Sequence, residues 1–134
     1  MGNRFLDSIV QDIIYHGTNV PDIAMFSTDG PESNGAIFFA KEEDYAEEMA
    51  YLKHKVHGGK QTVYRAKIDI RNPLDVTLPQ GQFTDPVVEQ TYIELAKNTG
   101  YDSVVFRNAA GNPYLDATFY AVFSPEQVQI ISIA

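Results

Sequence analysis

Cysteine is absent from the 134 residues, which rules out disulfides and thiolate metal sites and accords with a reducing, cytoplasmic setting. Long apolar runs are missing too. Stretches such as residues 36–40 and 104–106 are far too short to cross a bilayer. No basic segment followed by an apolar run opens the chain, so no secretory signal is expected. The start Met1-Gly2-Asn3-Arg4-Phe5-Leu6 has Leu6 where a myristoylation signal needs Ser or Thr. Basic charge is scarce, with 10 Lys and Arg against 18 Asp and Glu and a net charge of -8. That balance disfavours phosphate backbones and anionic membranes as partners, because nonspecific affinity for them comes from cationic side chains. Neither a Gly-x-x-x-x-Gly-Lys loop nor a glycine fingerprint behind a strand is present, which argues against P-loop nucleotide hydrolysis and Rossmann-type hydride transfer.

What remains is ordinary globular material, 44% hydrophobic and 21% charged, with no repeat, low-complexity tract or linker to divide it. One domain over residues 1–134 is expected. Apolar residues at Phe5, Leu6, Ile9 and Val10 predict a short helix over 5–12. Residues 13–16 read as a strand ended by Gly17-Thr18-Asn19, and 20–34 as loop. Residues 36–39 are a second, buried strand, followed by a helix over 42–55 with acidic residues at its start. Residues 62–70 alternate as a strand that Asn72-Pro73 should end, since proline cannot continue a ladder. A loop then leads to a helix over 86–98 with Gly100 as C-cap candidate, and strands follow at 102–106, 117–123 and 128–133. The pattern is that of an α+β domain.

Several of these segments, in order, resemble one family. Tyr15-His16-Gly17-Thr18-Asn19 is similar to the first-strand signature of ADP-ribosyltransferases of the His-Tyr-Glu branch. Gly35-Ala36-Ile37-Phe38-Phe39-Ala40 with Tyr45-Ala46 behind it resembles the second motif. The segment ending in Asn72-Pro73-Leu74, then Gly100-Tyr101-Asp102-Ser103-Val104-Val105, then Tyr120-Ala121-Val122-Phe123-Ser124-Pro125-Glu126-Gln127-Val128, complete the set over residues 13–132. The nearest resemblance is to ADP-ribosyltransferase domains of phage and mobile-element polyvalent proteins. It implies a split, mixed β-sheet core with flanking helices, and NAD as a substrate to be broken, with no metal.

Breaking NAD explains the residue types. Nicotinamide leaves through a state with positive charge on the ribose, as in glycoside cleavage, so the site must fix the ribose, clamp the ring and place a carboxylate nearby. By resemblance His16 bonds a ribose hydroxyl, Gly17 with Thr18 lets backbone approach the carboxamide, and Phe38 and Tyr45 sandwich the pyridinium. Taken singly each has a plainer reading: a capped histidine, a turn at Thr18-Asn19, a core Phe38, a half-buried Tyr45. His54 and His57 read as a solvated helix end rather than a metal site, and Asp102 as a turn organiser.

The family's acid, a Glu or Asp directly ahead of the Tyr120 motif, falls on Phe119 in this sequence. Asp116 is the nearest carboxylate, but along a strand it shares a face with Thr118 and Tyr120, and only a bulge would re-aim it. Two functions follow as expectations. One is mono-ADP-ribosyl transfer from NAD to a protein acceptor, in a phage or toxin-like effector, with His16 and Asp116 catalytic. The other is a degenerate member of the fold that acts as a noncatalytic binding or inhibitor protein.

Overall fold

The computed structural model describes residues 4–23, 26, 35–78, 86–107 and 118–134. Seven strands form one mixed sheet: β1 (Ile14–Thr18), β2 (Ile37–Ala40), β3 (Thr62–Ile68), β4 (Pro73–Thr77), β5 (Ser103–Arg107), β6 (Thr118–Val122) and β7 (Val128–Ile133), in the order β4-β5-β6-β2-β1-β3-β7. Helix α1 (Glu43–His57) follows β2, and α2 (Pro86–Asn98) connects β4 to β5. Only β4 and β5 run parallel, and that pair is the one joined by a crossover helix, as parallel pairing demands.

The sheet has one thin seam. β1 and β2 share a single register pair, Tyr15↔Ala40, whereas β1 and β3 share five, from Ile14↔Ala66 to Thr18↔Thr62. The seam divides the sheet into β4-β5-β6-β2 and β1-β3-β7, the split core expected from the resemblance. The halves cannot lie in one plane. β3 and β4 stand sixth and first in the order, about 24 Å apart in a flat sheet at ~4.8 Å per strand. The link from Ile68 to Pro73 spans at most roughly 18 Å at full extension. The sheet therefore curls.

Strand alternation sorts the apolar residues to match. Ile14, Ile37, Phe39, Tyr64, Val105 and Val122 belong to one buried layer that draws on both halves. On the other face, α2 sends Ile93 and Ala96 against Val104 and Phe106, and α1 sends Ala46 and Ala50 against Ala40 and Val63. Alanines four apart make a smooth stripe along α1, and Gly17 of β1 lies beneath it. A Cβ on Gly17 would run into the Ala46 carbonyl oxygen and come within 2.9 Å of the Ala50 nitrogen.

Where the halves meet again, one side chain closes the loops. Gln127, buried, donates from Nε2 to the carbonyls of Asp69 at 3.1 Å and Asp102 at 3.0 Å. Its Oε1 accepts from the amides of Phe123 and Ser124, each at 3.0 Å. All four hydrogen-bonding positions of the amide are thereby filled. Asp102 organises the neighbouring turn, as its sequence context suggested, accepting from the amides of Arg71 at 2.7 Å and Asn72 at 3.1 Å. Asp69 is 2% exposed and takes Arg4 Nε at 2.7 Å and Arg71 Nε at 3.0 Å. Burial alone would raise its pKa, but the bonds from Arg71 and Arg4 outweigh that and hold it below the usual value.

Three expectations need correction. Gly17 and Thr18, expected to end the first strand, lie within β1 and pair with Val63 and Thr62. The opening helix over 5–12 is a single 3-10 turn, Arg4–Asp7. The Ile9 amide instead bonds the Ile70 carbonyl at 2.8 Å, and Ser8 Oγ accepts the Ile70 amide at 2.9 Å, so tertiary partners replace helical ones. The strand over 62–70 does end ahead of Pro73, at Ile68, but the segment after it, expected as loop, holds a further strand whose first residue is Pro73. This strand, β4, lies at the sheet edge, where the first position tolerates a residue without N–H. Gly100, with φ 89°, follows α2 as the sequence suggested.

The Gly17 contact is a backbone contact that no side-chain rotation can relieve. Gly17→Ala should lower stability by about 1–3 kcal/mol, the usual range for overpacking, in urea denaturation. An unchanged midpoint would mean that α1 does not press on β1 as described.

Candidate functional site

The seam positions most of the residues singled out from sequence. Beyond Tyr15↔Ala40 no ladder pair joins residues 16–18 to residues 37–39. What spans the opening is a side chain: His16 Nδ1 lies 2.6 Å from the Phe38 carbonyl oxygen. A carbonyl only accepts, so Nδ1 carries the hydrogen and Nε2 is left with its lone pair. The ring stacks at a tilt on Phe26, centroids 4.5 Å apart, and on Phe39 at 5.6 Å.

Enclosure by those rings is the main reason the His16 pKa falls from 6.5 to about 4. Lys53 lowers it further, while the bond to Phe38 acts in the opposite sense. Lys53 reaches the seam from α1, where its Nζ donates to the Gly17 carbonyl at 2.9 Å. His16 is therefore a neutral acceptor at physiological pH, suited to receive a hydroxyl hydrogen.

The remaining expected residues divide between two faces. Phe38 packs with the α2 layer beside Phe119, while the His16 ring lies on Phe39 in the opposite layer. The two residues thus meet through the Phe38 carbonyl and flank the seam from opposite sides. Tyr45, on the first turns of α1, sets its ring edge-on to Phe119, with centroids 4.7 Å apart and planes at 70°. Burial raises the Tyr45 pKa, and Glu48 and Glu89 raise it further. Phe38 and Phe119 both pack on the α2 layer, and Tyr45 meets Phe119 from α1.

Gly17 and Thr18 acquire local explanations. The Gly17 Cα faces α1, and its carbonyl is taken by Lys53. Thr18 is 5% exposed, with Oγ1 accepting the Val20 amide at 3.4 Å, which is turn chemistry. Asp116 lies outside the described residues. Phe119 stands at the register opposite Ala40, the place where the family's acid was expected. Sequence reasoning passed over one carboxylate beside it. Glu42, the residue ahead of α1, accepts the Thr118 amide on Oε2 at 3.3 Å. Only an anticipated contact between β6 and the start of α1 would have singled it out.

A seven-strand mixed sheet with two helices is consistent with an ADP-ribosyltransferase-like fold. The chain belongs to the ADP-ribosyltransferase family found in polyvalent proteins, whose family model matches residues 12–133. Comparison with curated proteins finds no match. ADP-ribosyltransferases use NAD as the ADP-ribose donor. Among the described residues there is no group of three or more His, Cys, Asp or Glu placed to hold a metal ion, and no helix is long and apolar enough to cross a membrane.

The depressed His16 pKa has a consequence for stability. The folded state holds the neutral ring, so its contribution is full above pH 6.5 and is lost as pH falls from 6.5 to about 4. His16→Asn keeps an N–H donor and cannot titrate. Between pH 7 and pH 4 the wild type should lose more stability than the variant, by a difference on the order of 3 kcal/mol. Denaturant titrations at both pH values measure it, and equal losses would contradict the burial of a neutral His16.

Proposed function

We propose that the chain is an NAD-dependent mono-ADP-ribosyltransferase that transfers ADP-ribose to a protein acceptor. The seam carries the reading, because it leaves a neutral His16 with an accepting Nε2 at the mouth of a split sheet. That nitrogen receives a ribose hydroxyl of NAD. Phe38 and Tyr45, with Phe119 between their layers, offer ring faces to the pyridinium, an attraction between a cation and the negative face of the aromatic quadrupole. The bond from C1′ of the ribose to the nicotinamide nitrogen breaks, and both electrons leave with nicotinamide, which departs neutral. A lone pair of the acceptor forms the new bond to C1′, and the acceptor's proton passes to water. Between these events the ribose carries positive charge, which a carboxylate must offset. From the sequence, Asp116 is the nominee.

The net charge of -8 favours a protein acceptor over a nucleic acid. A toxin-like effector of phage or mobile-element origin, acting in the cytoplasm, fits a transferase with such a surface. Phe119 at the expected position of the acid supports a second reading, in which the site binds NAD without turnover and the protein works by occupying a partner.

NAD should bind in calorimetry and raise the melting temperature, because a ligand selective for the folded state adds about 2.7 kcal/mol at a hundredfold excess over Kd. His16→Ala and Phe38→Ala should each remove most of that shift. Incubation with labelled NAD and a cell lysate should label protein bands. Absence of NAD binding to the intact protein would contradict both readings; binding without label or nicotinamide release would select the second.

A further inference from the structure

Phe119 leaves the transferase reading without an acid at the expected strand position, yet the structure sets a carboxylate against the same strand from another element. Ala40 pairs with Phe119, and the Lys41 amide bonds the Thr118 carbonyl at 3.0 Å. A continued ladder would return the Thr118 amide to the Lys41 carbonyl. Instead that amide goes to Glu42 Oε2 at 3.3 Å, so the carboxylate is held at the end of β6, one residue from Phe119. Glu42 precedes α1 and makes no side-chain cap to it, which leaves its carboxylate for β6. Tyr45 follows three residues later, on the same side of the first turn, and its ring meets Phe119. Carboxylate and rings thus lie at one end of the β2–β6 pair.

We propose that Glu42, delivered from the start of α1, supplies the carboxylate that β6 lacks at Phe119. The inference rests on the transferase reading. In that reading the C1′–nicotinamide bond breaks with its electron pair leaving on nicotinamide, and Glu42 faces the positive ribose and accepts a hydrogen bond from its hydroxyl. The acceptor then bonds to C1′ and releases its proton to water. Glu48 and Glu89 act on Tyr45 through space, whereas Glu42 bonds the Thr118 amide directly. The simpler role for Glu42, an end-cap of the β2–β6 ladder, needs an acceptor but no charge, and this separates the two.

Glu42→Gln keeps an oxygen for the Thr118 amide and removes the charge. With full-length protein and NAD as the probe, the variant should keep its melting temperature and its NAD affinity. Nicotinamide release should fall about a hundredfold or more, the loss seen for other preorganised electrostatic groups. Glu42→Ala should lose both turnover and melting temperature. Undiminished release by Glu42→Gln overturns the assignment, as does loss of release on Asp116→Asn alone. Wild type that binds NAD but releases no nicotinamide also overturns it, while leaving NAD recognition standing. Wild type that binds no NAD removes the transferase reading and this proposal together.

Discussion

A sheet that opens between two neighbouring strands needs something to hold the lips at a fixed distance, and here that is one hydrogen bond from His16 Nδ1 to the Phe38 carbonyl. Backbone pairing across β1 and β2 stops after Tyr15↔Ala40, so an imidazole takes over from the ladder. The bond fixes the tautomer of the neutral ring and directs the lone pair of Nε2, while burial among Phe26 and Phe39 keeps the ring neutral. Structural and chemical demands on the residue coincide: the geometry that keeps the seam defined also leaves an acceptor within it. The low pKa follows from the same enclosure.

The rest of the fold maintains that opening from a distance. Gln127 and the Asp69–Arg4–Arg71 cluster tie the end of β3 to the start of β5, which keeps the curled halves joined away from the seam. On the outer face Gly17, Ala46 and Ala50 let α1 lie close on β1, and that closeness brings Lys53 to the Gly17 carbonyl. Small residues here set the height of α1 over the sheet, and through it the placement of Tyr45 beside Phe119.

Much of this was legible from residue pattern. Residues 86–98 read as a helix and residues 128–133 as a strand, and both stand within those bounds, because proline at the first helical turn and regular alternation are local signals. The ordered motifs around His16, Phe38 and Tyr120 pointed to the family. What could not be read depends on distant partners. Ile70 draws Ser8 and Ile9 out of a helix, and β4 exists because β5 offers it an edge. Gly17 seemed to serve a ligand, yet its first constraint is the Ala46 carbonyl. Glu42 bonds Thr118 across 76 residues, a separation at which periodicity carries no information.

The central claim is that His16 both clamps the seam and presents Nε2 to NAD. Nitrogen NMR of the labelled His16 ring tests it most directly. The account predicts a neutral ring with hydrogen on Nδ1 at pH 7, and an Nε2 resonance that moves on addition of NAD while Nδ1 keeps its hydrogen. Hydrogen on Nε2 in the free protein, or an Nε2 signal indifferent to saturating NAD, would contradict it.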